Sequence, residues 1–197
     1  MSKNKTLPKT IIFIDWSNVY MPAKKEYGEK ILPEKIEKLM INLFKDNKII
    51  QTHMFCSIDE DNEGQKRFFI TTRKKGILVY TEKLVERPAT VFCDSCDKYI
   101  ENPLCCDCGN VIYLSPHKSK KIDILLAVTM LKLSDTYDEL ILVSGDQDFI
   151  PAIKILRNER GKKVYISSFK KSLSHELIPE TDGSPIILDK YINKIKQ

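Results

Sequence analysis

The chain has 197 residues, 42% hydrophobic and 30% charged, with a net charge of +5. At about 150 residues per domain that length holds one sizeable core and a small insert, and the balance excludes wholesale disorder, collagen and coiled coil. No apolar run approaches the roughly 18 residues a membrane span needs, because the longest, around 122–133, contains Asp123, Thr129 and Lys132. The polar opening MSKNKTLPKT lacks the apolar stretch of a secretory signal, so a cytoplasmic chain with no membrane partner is expected.

Residues 11–14 are a continuous, β-branched apolar run that predicts a buried strand ending at Asp15. Pro33 then opens a predicted helix with an apolar stripe of Ile36, Leu39, Met40, Leu43 and Phe44. A strand is expected over 49–58, a polar helix over 61–75 carrying Phe68 and Phe69 and stopped by Gly76, and a strand over 77–80. The rhythm breaks at 90–114. It resumes with an apolar helix over about 121–133, a strand over 140–143 and the sharp turn Ser144-Gly145-Asp146-Gln147-Asp148. A helix over 149–160 follows, with Pro151 in its first turn and Gly161 closing it. A strand over 164–167, a short helix near 172–178 and a tail helix near 189–196 complete the pattern. Such alternation is the spacing of βαβ units. The expected fold class is α/β, a Rossmann-like, mostly parallel sheet with helices on both faces, in one domain spanning 1–197.

Nucleotide-binding signatures are absent: the glycines form neither G-x-G-x-x-G nor G-x-x-x-x-G-K-[ST]. His53, His117 and His175 stand in no H-E-x-x-H arrangement. The acids are more informative. Asp15 directly follows one strand, and Asp146 and Asp148 closely follow another, so two strands deliver carboxylates to the edge where parallel sheets bind ligands. Asp123 starts the apolar helix. Each alone reads equally well as a helix cap or a dipole partner. Together they repel one another, and a hard cation with oxygen ligands, Mg2+ or Mn2+, relieves that repulsion.

Three segments resemble the motifs of the NYN family, LabA-like members of the PIN-like nuclease group. Phe13-Ile14-Asp15-Trp16-Ser17-Asn18 is similar to its F-I-D-G-x-N opening, and Lys120-Lys121-Ile122-Asp123-Ile124-Leu125-Leu126-Ala127-Val128 to its K-G-v-D-v-x-L-A-v-D helix start. Leu142-Val143-Ser144-Gly145-Asp146-Gln147-Asp148-Phe149 is similar to its L-V-S-G-D-x-D-F element. The resemblance implies the PIN/NYN three-layer fold and a metal-dependent ribonuclease site. Carried over by position, Asp15, Asp123, Asp146 and Asp148 are the catalytic acids, with Asn18 and Ser144 as polar support. Departures are Trp16 and Lys121 in place of glycines and Thr129 in place of a second helix acid. Trp16 places an aromatic ring beside the site, to stack on a base or simply to pack.

The basic groups at Arg73, Lys74, Lys118, Lys120 and Lys121 are expected to hold single-stranded RNA by its phosphates, against the plainer reading of a solvated lysine-rich surface. Five of the six cysteines lie between 93 and 108. Cys93 and Cys96, then Cys105 and Cys108, form two C-x2-C pairs whose spacing suits one structural Zn2+ in a ribbon-like insert over 90–114. Cys106 in place of Cys105 and an iron–sulfur cluster are the lesser alternatives. Rival functions are a catalytically weak RNA-binding adaptor and a HAD-like phosphatase, the latter weakened by Ser17 where that chemistry needs a second acid. Homo-oligomerisation is compatible with all of these.

Overall fold

The structure is a computed structural model that describes residues 6–83, 90–101, 103–111 and 121–197. Its centre is a sheet of β1 (Lys9–Asp15), β2 (Lys48–Ile58), β3 (Leu78–Lys83), β6 (Glu139–Val143), β7 (Lys163–Ser168) and β8 (Ile186–Ile187), in the order β3-β2-β1-β6-β7-β8. Every pairing in it is parallel. A parallel sheet is covered on both faces, which is why its central strands are apolar without alternation. In β1, Ile12 and Ile14 enter one core cluster while Ile11 and Phe13 enter the other.

The helices divide accordingly. α1 (Trp16–Tyr27), α2 (Pro33–Leu43), α3 (Glu63–Lys74) and α6 (Ile192–Ile195) supply Val19, Ile36, Met40, Phe69 and Ile195 to the first cluster. α4 (Lys121–Lys132) and α5 (Ile150–Lys154) supply Leu126, Met130, Ala152 and Ile153 to the second. This is the expected three-layer α/β architecture. The cysteine segment contains a separate antiparallel hairpin of β4 (Thr90–Cys93) and β5 (Lys98–Glu101).

Several elements differ from expectation. α1 has no counterpart in the sequence reading, because Pro22 sits inside it and masks the helical pattern. Its ends are nonetheless well made, with Asp15 capping the start and Gly28 closing it in the left-handed region at φ 66°. Leu43, assigned to the core stripe of α2, is 41% exposed, since the helix ends there and the chain turns away. The helix expected over 149–160 is composite: a 3-10 turn at Gln147–Phe149, α5, and a π-helical stretch at Ile155–Glu159 where Arg160 N–H reaches back to the Ile155 carbonyl. The short helix near 172–178 is a 3-10 segment at His175–Glu180 that ends beyond Pro179, and the tail splits into a 3-10 turn and α6.

Candidate active site

The two central strands β1 and β6 are neighbours, and the chain leaves them toward opposite faces, to α1 and to α5. That divergence opens the crevice where parallel sheets take ligands. Asp15 ends β1, is 4% exposed, and acts as the N-cap of α1. Its Oδ1 accepts from the Asn18 N–H at 3.2 Å and the Ser17 hydroxyl at 3.1 Å. Across the crevice, fully buried Ser144 donates its hydroxyl to Asp15 Oδ2 at 3.0 Å and accepts the Asp146 N–H at 3.2 Å. Asp146 Oδ1 in turn accepts the Asp148 N–H at 2.9 Å, and Asn18 Oδ1 accepts the Gly145 N–H at 2.9 Å. The Asp15–Asn18 corner and the 144–148 turn are thus stitched into one unit. Gly145 is dictated by space, for a Cβ there would lie 2.0 Å from the Ser172 carbonyl oxygen and 2.6 Å from Ser168 Oγ.

Beside this corner lies a cleft of about 490 Å³, lined by Asp123, Asp148 and Glu176 among the apolar Ile124, Ala127 and Pro151. Asp123 and Asp146 are half-buried and Asp148 is exposed. Glu176 had no sequence signal, since it sits in a short 3-10 segment outside any motif. Among the described residues no three His, Cys, Asp or Glu side chains form a ready-made metal shell. The oxygen donors present suit a hydrated Mg2+ or Mn2+, which usually takes one or two carboxylates and fills its remaining positions with water and substrate phosphate.

Lys121, the first residue of α4, is exposed at the same end as Asp123. Lys118 and Lys120 lie outside the described residues. Arg73 and Lys74 are not at this edge. They occupy the last turn of α3, which returns from the carboxyl end of β2 to the amino end of parallel β3, and Arg73 donates to the Val79 carbonyl. A phosphate contact at Arg73 or Lys74 would therefore lie at the opposite sheet edge from the acids. For Trp16 the structure shows the packing alternative. It is 5% exposed, packed in the core and stacked on Tyr20 and Phe68 with ring centroids 5.4 and 5.3 Å apart, so it is no open platform for a base. Thr129 is buried and returns its hydroxyl to the Leu125 carbonyl at 2.6 Å.

In the hairpin segment, each cysteine pair forms a tight turn. The backbone N–H of Cys96 holds the Cys93 thiol below its ordinary pKa, and the backbone N–H of Cys108 does the same for Cys105. Gly109 takes φ 69° and returns its N–H to the Cys105 carbonyl at 2.8 Å. All six cysteines are free thiols. The expected convergence of Cys93, Cys96, Cys105 and Cys108 on one ion is not seen: the pairs are formed singly, without a group of three or more among the described residues.

A three-layer parallel sheet with carboxylates at its central crevice defines a Rossmann-like α/β protein of the kind that acts at its strand ends. The sequence matches the NYN domain over residues 9–189, and the chain belongs to that family, a PIN-like group whose members are generally nucleases. Among solved structures, a protein of unknown function from Vibrio parahaemolyticus is similar, with a TM-score of 0.70 at 16% identity over 99% of each chain; it shares the fold. Sir2Af2 bound to a myristoylated histone peptide aligns at 13% identity over 94% of this chain and 90% of that one, with a TM-score of only 0.39. No curated protein matches by sequence. Among the described residues no helix is long and apolar enough to cross a membrane.

Proposed function

We propose that the chain is a metal-dependent ribonuclease acting on single-stranded RNA in the cytoplasm. The observation that carries this reading is the hydrogen-bonded unit joining Asp15, Ser144 and Asp146 across the central crevice, beside a cleft lined by Asp123 and Asp148. Asp123, Asp146 and Asp148 are the groups that would hold Mg2+ or Mn2+. When bound, such an ion supplies a water of lowered pKa and neutralises charge building on phosphorus. Asp15 is held by three donors and fixes the corner from below, while Asn18 and Ser144 lock the 144–148 turn against it. Lys121 contacts a phosphate of the strand, a contact blind to sequence. The reading treats 1–197 as one NYN-type domain, with 90–114 inserted as a ribbon whose cysteine pairs close on Zn2+. The low thiol pKa of Cys93 and Cys105 supports metal-ready sulfur in both pairs.

Cleavage of a generic single-stranded RNA in Mn2+, abolished by EDTA and by Asp146→Asn, is the expected result; equal cleavage with and without the metal refutes the assignment. A second reading, an RNA-binding adaptor with weak catalysis, is favoured by one feature. The helix position where the family carries another acid holds Thr129, whose hydroxyl is turned back into its own helix. Tight RNA binding with no metal-stimulated cleavage selects that reading. The HAD-like phosphatase loses ground, because Ser17 serves as a hydrogen-bond donor to Asp15 and no acid stands at its place.

A further inference from the structure

The acidic site leaves a second cavity unused. It measures about 590 Å³ and lies on the α1 face of the sheet, between α1, the start of α3 and the turn near Ile31. Half-buried Tyr20 and Phe68, each stacked on the buried Trp16 behind them, give it an aromatic side. Ser17 also lines it, and the Ser17 hydroxyl is one of those held by Asp15, so the cavity begins where the acidic corner ends. Asn62 faces it with its Oδ1 engaged as the cap of α3, while its Nδ2 has no partner among the described residues. Lys24 and Lys30 complete the lining. Both are exposed, and among the described residues neither ammonium is in a salt bridge.

We propose that this cavity binds one nucleoside phosphate: the base lies against Tyr20 and Phe68 with Asn62 at its edge, and the phosphate lies toward Lys24 and Lys30. Each part of the lining selects one part of that ligand. The exposed parts of Tyr20 and Phe68 take a flat heterocycle and tolerate any base, an amide with a spare donor meets a carbonyl or ring nitrogen, and two ammonium groups without a salt bridge among the described residues call for an anion. Inorganic phosphate would leave the aromatic side unused, and an acyl chain would leave the lysines and amide unused. The volume falls within the usual span of small-molecule sites, about 300–1,000 Å³. The inference rests on the ribonuclease reading only for the ligand's source, a nucleotide of the RNA strand next to the phosphate being cut; a free nucleotide offers the same chemistry.

Trp16 is the one tryptophan of the sequence, so its fluorescence reports on this cavity. The intact chain is titrated in EDTA with nucleoside 5′-monophosphates, with nucleosides, with inorganic phosphate and with a short single-stranded RNA. A saturable change with the monophosphates is expected, none with inorganic phosphate, and binding about tenfold or more weaker in Lys24→Glu/Lys30→Glu, since two attractive charges become repulsive. Gly64→Leu fills the cavity. A Cβ there comes within 3.3 Å of Asn62 Oδ1, so the Asn62 side chain shifts by a few tenths of an ångström; circular dichroism checks that the variant is folded, and the folded variant should lose the signal. RNA binding that is tighter than monophosphate binding, and weakened by Gly64→Leu, assigns the cavity to the strand. Monophosphate binding with RNA affinity untouched by Gly64→Leu assigns it to a free nucleotide. No saturable change with any monophosphate or RNA, or an undiminished change in folded Gly64→Leu, overturns the proposal. Because the titration is run without metal, it stands or falls apart from cleavage.

Discussion

Ser144→Ala tests whether the crevice is held together as described. The Ser144 hydroxyl donates to the Asp15 carboxylate at 3.0 Å and accepts the Asp146 N–H at 3.2 Å, and its side chain has no exposed surface through which water could substitute. A hydrogen bond to a charged group contributes about 1.5–3 kcal/mol and a neutral one about 1 kcal/mol. Asp15 keeps the Ser17 and Asn18 donors, so the loss should fall below the full sum, at about 2–3 kcal/mol. Urea unfolding at neutral pH, followed by circular dichroism, measures it. Asp15→Asn keeps the shape and the capping oxygen, so it completes a double-mutant cycle, and a coupling energy of about 1–2 kcal/mol is expected between the two positions. Ser144→Ala within about 0.5 kcal/mol of wild type, or two effects that simply add, would refute the relay.

Asp146→Asn should lose metal-stimulated RNA cleavage while its melting curve stays native or rises slightly, because an amide oxygen still accepts the Asp148 N–H and one charge leaves the acidic edge; cleavage at the wild-type rate removes Asp146 from the site. Lys121→Glu should weaken RNA binding equally across sequences and lower the salt slope by about 1, read from binding isotherms at several salt concentrations. His53 is buried against Phe13 and Tyr80, and burial lowers its pKa from 6.5 to about 4. The unfolded chain therefore binds the extra proton first, so stability is full above pH 6.5 and declines as pH falls toward 4, by up to about 3 kcal/mol. His53→Phe should flatten stability over that pH window in urea unfolding, and a slope equal to wild type would assign the acid sensitivity elsewhere. Protein purified without chelator should carry about one zinc per chain by elemental analysis, lost in Cys93→Ser/Cys96→Ser together with protease resistance around the insert; a zinc-free preparation would end the ribbon reading.

Where sequence reasoning succeeded, a single physical signal decided the outcome. The run Ile11-Ile12-Phe13-Ile14 has no polar alternation because both of its faces are covered, and that alone marks a central parallel strand. Asp15 and the 144–148 turn were legible because strand ends in such sheets share an edge. The misses are of another kind. Arg73 and Lys74 stand out in the sequence as a basic cluster with no stated place, and only the parallel pairing of β2 with β3 shows that α3 carries its last turn to the edge away from the acids. Trp16 follows a site aspartate in sequence yet turns inward, because the first residue of a capped helix can face the sheet it has just left. Glu176 enters the cleft from a segment with no motif at all. The cysteine spacing foretold two tight turns, which are present, and their common ion, which the described geometry does not assemble.

The plain and the chemical readings of Asp15 are not rivals. Capping α1 requires its carboxylate to accept the Asn18 N–H, and that same bond leaves Oδ2 directed at Ser144 on the neighbouring strand. The cap therefore fixes the orientation that an edge carboxylate needs, and the buried charge is satisfied before any ligand arrives. The consequence is a division of labour among the acids. Asp15 holds the corner, whereas Asp123 and Asp148, which line the open cleft, are placed to meet something from solvent. α1 starts at the acidic corner and carries Trp16, Ser17 and Tyr20 along the second cavity. A ligand pressing on that aromatic side acts on the helix whose first turn is tied to Asp15. Asp15, Ser17 and Asn18 are the residues that the acidic corner shares with that helix start, through the two hydrogen bonds that cap it.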